Sequence, residues 1–203
     1  MLEYPSITKN IIDVPIYAFD KLDGSNIRVE WSRKNGFTKF GSRKRLLSRD
    51  EKPLGEAISI FEETMADSLV KPLKKLQVER ATLFMEFSGL NSFAGFHEEE
   101  EHSLTLFDVS LYKKGFMLPK EFMKIFDDVV PTAELLYYGK ANSDFVKSVN
   151  EGVLEDMTFE GVVCKSQELV RNQQVRFKVK NQAWLDKLKH KCGDDEKMFN
   201  NLS

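Results

Sequence analysis

Cysteine is almost absent from this chain. Cys164 and Cys192 are the only two in 203 residues, and they lack the close spacing of a zinc knuckle or a redox pair, which excludes a disulfide framework and a thiolate metal site. That usage implies a reducing, cytoplasmic setting. Long apolar runs are missing as well: nothing approaches the roughly 18 residues of a membrane span, and the opening MLEYPSITKN has no basic region followed by an apolar core. Export and membrane insertion are therefore not expected. Charge of one sign is also lacking, with 30 basic against 32 acidic side chains, so a surface basic all over is excluded while local clusters remain able to meet phosphates. Neither a Walker-type phosphate loop nor a dinucleotide glycine fingerprint occurs. Internal repeats, low-complexity tracts and linker-like segments are absent too.

What is present is ordinary for a folded protein: 41% hydrophobic and 31% charged residues, at a length suited to one domain with its own core. Residues 26–31 alternate, Ile27, Val29 and Trp31 on one face against Asn26, Arg28 and Glu30 on the other, the period of a half-buried strand. Asn35-Gly36 then predicts a tight turn into a second strand, FTKFGS. From Pro53 to about Leu76, Leu54, Ala57, Ile58, Phe61, Met65, Leu69 and Leu73 recur at helical spacing, with Pro53 suited to the first turn and Pro72 marking a break. Two apolar strands, ATLFMEFSG and SLTLFDVSLY, flank a polar loop expected to be exposed. PKEFMKIF reads as a helix, AELLYYG as a strand, SDFVKSVNEG as a helix capped by Asn142 or Ser143, TFEGVVCKS and QVRFKVKN as strands, and QAWLDKLKHKC as a closing helix. Strands in antiparallel pairs with helices between them predict an α+β domain over residues 1–190, followed by a polar tail, 191–203, expected to fray.

Several residues stand out chemically. Lys21, in FDKLDGSN, precedes a glycine turn and a buried strand, a placement that can hold an amine at the edge of a cleft as a nucleophile. Glu86 lies between Met85 and Phe87 in an otherwise apolar strand, where alternation sets a carboxylate against two large apolar neighbours. Lys178 and Lys180 are one residue apart on a strand and share a face. In HEEEEH, by contrast, His97 and His102 are five apart, which does not place both on one helical face, and the segment reads as an acidic surface loop.

KLDGSN (21–26), GSRKR (41–45), MEFSG (85–89), TLFDV (105–109), FEGVVCK (159–165) and FKVKN (177–181) follow one another along nearly the whole chain. Together they resemble the motifs of the covalent nucleotidyltransferase superfamily of ligases and mRNA capping enzymes. The first motif carries Asn26 where DNA ligases and capping enzymes usually have arginine, and so resembles the ATP-dependent RNA ligase branch. The resemblance implies a nucleotidyltransferase (adenylation) domain of antiparallel sheets flanked by helices, ATP-grasp-like. It implies that Lys21 attacks the α-phosphorus of ATP to form a lysyl-adenylate, that AMP passes to an RNA 5′-phosphate, and that a 3′-hydroxyl displaces it.

Further roles come from the same resemblance. Lys178 and Lys180 would reach the reacting phosphate; two cations there would disfavour a charge on Lys21, whose free pKa is near 10.4, and stabilise the phosphoryl oxygens. Glu160 would work with a divalent metal, Mg²⁺ or Mn²⁺, because a carboxylate beside a phosphate needs a cation between them. Lys165 and Arg43 would contact phosphate, Glu86 the ribose hydroxyls, Asn26 the nucleotide, and Phe107 would stack on adenine, an interaction contributing roughly 1–3 kcal/mol per base. Implied partners are ATP and RNA ends, nicked duplex or single-stranded, with no membrane; no oligomeric state follows. A fold kept as a nucleic-acid-binding module without turnover is the alternative, and a DNA ligase or capping guanylyltransferase a weaker one. Larger RNA ligases carry a further domain after the FKVKN motif, where about twenty residues remain here. A minimal ligase, one member of a pair and a piece of a longer protein all fit.

Overall fold

The structure is a computed structural model that describes residues 1–90 and 100–203, the side chain of Asn201 excepted. Residues 91–99 of the acidic loop, His97 included, lie outside the described residues. In chain order the elements are β1 (Pro15–Asp20), β2 (Ser25–Ser32), β3 (Gly36–Gly41), α1 (Glu56–Thr64), α2 (Ala66–Lys75), β4 (Arg80–Ser88), β5 (Ser103–Leu111), β6 (Gly115–Phe116), α3 (Pro119–Phe126), β7 (Leu135–Lys140), α4 (Ser143–Glu151), β8 (Gly161–Val170), β9 (Gln173–Lys180), α5 (Gln182–Cys192) and α6 (Glu196–Leu202). Contacts divide them into two compact units, Met1–Pro5 with Gly24–Ala133 and Ser6–Asp23 with Glu134–Ser203. The chain leaves one unit and enters the other inside the KLDG motif, between Asp23 and Gly24.

The larger unit is built on a five-stranded sheet of order β3-β2-β4-β5-β6, antiparallel throughout. The alternation read in β2 is realised: Ile27, Val29 and Trp31 are buried with Leu83, Met85, Leu104 and Leu106, against Phe61, Met65, Leu69 and Leu73 of the helical segment. That apolar face is the core. The helical break falls at Met65 (φ −126°, ψ −32°), and Pro72 sits inside α2. The ring removes one helical hydrogen bond, but Leu69 and Leu73 are fully buried on either side of it and hold the turn. In β5 the inward phase switches from Leu104 and Leu106 to Val109 and Leu111. A bulge causes the switch: Phe84 pairs with Asp108 and Met85 with Leu106, leaving Phe107 as the extra residue.

The smaller unit has a four-stranded antiparallel sheet, β7-β1-β8-β9. Ile16, Ala18, Val162, Cys164, Phe177 and Val179 form its core with Phe145 and Val149 of α4. Strand β1 is absent from the sequence reading because Ile16 and Ala18 alternate with Tyr17 and Phe19, so both faces read apolar and the two-residue period is hidden. Asn142 caps α4, its side chain accepting from the Phe145 N–H at 2.9 Å. The polar end of the chain, expected to fray, is helical in α6, with the Asp195 carboxylate accepting from the Met198 N–H at 2.8 Å. Both cysteines are free and buried; burial pushes the Cys164 thiol well above its usual range. No helix among the described residues is long and apolar enough to cross a membrane.

Candidate active site

In the smaller unit Lys21 follows directly on β1, and its backbone N–H donates to the Gly161 carbonyl at 2.9 Å. The amine is therefore carried by β1 and β8. The alternating residues of β2, which the sequence suggested as its foundation, belong to the core of the other unit. Gly161 is required by that approach: its φ is +125°, and a Cβ there would lie 2.2 Å from the Val179 carbonyl oxygen. In the larger unit a Cβ on Gly24, the glycine of KLDGSN, would meet the Phe87 carbonyl oxygen at 2.3 Å.

Three of the expected residues meet at one atom. Lys21 Nζ lies 2.8 Å from Glu160 Oε1, and Lys180 Nζ donates to the same oxygen. Glu160 and Lys180 side chains are 6% and 5% exposed, while Lys21 is 22% exposed, so the carboxylate and one amine are sealed and the second amine keeps an opening. Register explains the meeting, because Gly161 pairs with Lys180 and thereby sets Glu160 beside the end of β9. Burial, then the charge of Lys21, then the smaller effect of Lys178, push the Lys180 ammonium down to about 7, against the pull of Glu160. Neighbouring cations thus help to lower Lys180. Lys178 shares the face of Lys180, opposite Phe177 and Val179. Lys165 is 4% exposed and holds its ammonium 5.0 Å from the centre of the Phe19 ring, so its charge is met by a π face.

Sequence reasoning missed the clasp behind this cluster. Asp20, next to Lys21, accepts from the Thr158 N–H at 3.1 Å and from the Thr158 hydroxyl at 2.8 Å. It ties the strand that carries the amine to the segment that carries Glu160. Burial raises the Asp20 carboxyl above its usual range, partly offset by the two Thr158 bonds, with Glu134 and Glu160 adding to the rise. Nothing local in the sequence marks a pair 138 positions apart. Trp184 was also missed, although it follows FKVKN by three residues; its ring centre is 3.7 Å from Lys180 Nζ.

The larger unit holds the remaining expected residues. Asn26 of β2 and Glu86 of β4 are directly opposed, and Glu86 is opposed in turn by Thr105 of β5. These three form one polar rung on the face away from the helical core. The buried side-chain oxygen of Asn26 has no hydrogen-bond partner, an acceptor left for a ligand donor. Phe107, placed by the bulge, is half-buried and packs edge-on against Tyr4, centroids 5.1 Å apart. The Tyr4 hydroxyl donates to Asp108 at 2.9 Å, and Arg28 behind them donates to the carbonyls of Ser42 and Leu2 at 2.6 and 2.9 Å. Arg43 is exposed in the bend after β3. His102 is engaged by Glu56 and the Leu90 carbonyl, in keeping with a structural role.

Among the described residues no three His, Cys, Asp or Glu side chains cluster as a metal cage. Glu160 offers the carboxylate that the two amines share, a donor set that suits a cation completed by substrate phosphates and water.

The RNA ligase family profile matches residues 14–180. No curated protein matches the chain in sequence. Among solved structures it is similar to Naegleria gruberi RNA ligase with pyrophosphate, at 17% identity over 94% of this chain and 58% of that one, TM-score 0.71. A mutant of the same protein with ATP and manganese gives 18% identity, 94% and 58% coverage, and a TM-score of 0.71. Another with AMP and manganese gives 16%, 92%, 58% and 0.70. The chain spans less than two thirds of those proteins, and the likeness shows a shared fold, two antiparallel sheets with flanking helices of the nucleotidyltransferase type.

Proposed function

Because the chain belongs to the RNA ligase family, we propose that it is an ATP-dependent RNA ligase that joins 5′-phosphate and 3′-hydroxyl ends through a lysyl-AMP formed on Lys21. One observation carries the reading: Lys21 and Lys180 converge on a single oxygen of Glu160. A carboxylate so placed accepts the proton that the Lys21 ammonium must lose before it can attack. The neutral amine then forms a bond to the α-phosphorus as the bond to the pyrophosphate oxygen breaks, and the second proton on its nitrogen leaves with the departing pyrophosphate or to water. Lys180, released from Glu160 as that carboxylate changes partner, donates to the phosphoryl oxygens, with Lys178 beside it on the same face. A divalent Mg²⁺ or Mn²⁺ held by Glu160 would supply charge neutralisation between carboxylate and phosphates.

The nucleoside falls to the other residues. Phe107 offers a face for adenine, Asn26 an unfilled acceptor, and Glu86 a carboxylate for the ribose hydroxyls, while Lys165 and Arg43 supply further cations. The ATP and AMP complexes of the Naegleria protein support this class of ligand. The test is a sealing assay with labelled nicked duplex RNA, nicked DNA and single-stranded RNA, each with ATP or GTP. Joining of an RNA substrate with ATP is expected. GTP use would turn the reading to a capping enzyme, preference for nicked DNA to a DNA ligase, and binding of RNA without joining or adenylylation to a non-catalytic module.

A further inference from the structure

Trp184 lies in the first turn of α5, and the way that turn begins fixes where its ring goes. Strand β9 ends at Lys180, and Asn181 caps the helix, its side-chain oxygen accepting from the Ala183 N–H at 2.8 Å. The backbone N–H of Asn181 donates to the Glu160 carbonyl at 3.2 Å. Lys180, the cap and Glu160 are thereby one hydrogen-bonded junction, and Trp184 is 3% exposed above it. Its ring centre is 3.7 Å from Lys180 Nζ, closer than the roughly 6 Å within which a ring face attracts a cation.

A buried ammonium has few ways to be held. Glu160 is shared with Lys21, so when Lys21 loses its charge in forming a phosphoramidate, and Glu160 turns to other partners, Lys180 needs a partner that does not change with the reaction. The indole face is such a partner. It attracts the cation without offering a proton acceptor, and so leaves the N–H groups of Lys180 available to phosphate oxygens.

We propose that Trp184 is a positioning residue for nucleotidyl transfer, its indole face holding the Lys180 ammonium in place as Glu160 exchanges partners. The inference rests on the lysyl-adenylate reading above and deepens it. It predicts that loss of the π face impairs the rate of adenylate transfer rather than ATP affinity.

The experiment compares wild type, Trp184→Phe and Trp184→Leu in single-turnover transfer of label from ATP to protein, with ATP varied to separate kcat from KM. Trp184→Leu should lose about tenfold or more in kcat with KM little changed, a loss worth about 1.4 kcal/mol. Trp184→Phe, which keeps a ring, should recover most of it. A second measurement uses the unaltered fold: the chain has two tryptophans, Trp31 and Trp184, so 5-fluorotryptophan labelling gives one fluorine resonance for each. Adenylylation should shift the Trp184 resonance and leave Trp31 in place. Equal kcat in Trp184→Leu and wild type, or a Trp184 resonance indifferent to adenylylation, would overturn the proposal while leaving the ligase reading intact. Absence of label on the wild type would overturn the ligase reading itself.

Discussion

The two sheets are alike in class and opposite in how they satisfy their polar groups. In the five-stranded sheet the face away from the core spends its buried side chains on the main chain: Arg28 on two carbonyls, and Asp108 on the Val109 N–H as well as on the Tyr4 hydroxyl. In the four-stranded sheet Asp20 is met by Thr158, but beside it the charges rely on one another, with Glu160 between two ammonium groups. The first arrangement tolerates loss of a site residue, because the backbone stays paired. The second does not, because removing one member leaves another charged and buried. Stability of the larger unit should therefore be decided in its apolar core, and that of the smaller unit in its charge cluster.

The sharpest contrast is between cores. Phe61→Ala, in the larger core and fully buried, should cost about 3–5 kcal/mol, and Phe145→Ala, in the smaller core and 4% exposed, should cost less; denaturant melts of the two variants measure this. Equal losses would remove the distinction. Next, Glu160→Ala should cost about 3 kcal/mol and abolish adenylylation, whereas Glu86→Ala should weaken ATP use with a stability loss under about 1 kcal/mol, since Glu86 is only half-buried. The pair separates a cluster that folds as a unit from a rung that does not.

The pH dependence follows from the direction of the Lys180 shift. Its folded value, about 7, is below the ordinary 10.5, so between these pH values the unfolded chain binds more protons and stability should rise with pH. The contribution is present in full above the unfolded value and is lost as pH falls through the folded one. Lys180→Met should flatten that slope in melts taken from pH 6 to 10. The smallest effect expected is at Asp20. Its raised value means that its contribution to stability is present below the unfolded value and is lost as pH rises through the folded one. Asp20→Asn keeps both Thr158 bonds, with the amide oxygen accepting from N–H and the NH₂ donating to the hydroxyl. It should raise the melting temperature at pH 7 and leave it little changed near pH 3.

Much of the fold is legible in the chain because local signals agree with it: the Ile27, Val29, Trp31 alternation, the Asn35-Gly36 turn and the Asn142 cap all lie where the spacing of residues puts them. What escaped was not local. Strand β1 is masked by apolar residues on both faces, the bulge at Phe107 is a property of a strand pair, and the Asp20–Thr158 clasp joins distant segments. In the candidate site, Lys21, Glu160 and Lys180 are brought together as residues of one type of motif series, and Asn26 faces Glu86. The depression of Lys180 was not legible, since burial is its largest cause and burial depends on the register of β8 and β9.

The most direct test of the account is the chemistry of one amine. After incubation with ATP and Mg²⁺ or Mn²⁺, peptide mapping by mass spectrometry should find AMP in an acid-labile, base-stable phosphoramidate on Lys21, with no adduct in Lys21→Ala. AMP on Lys180 in its place, or wild-type protein that carries no adduct under any metal or pH, would contradict it.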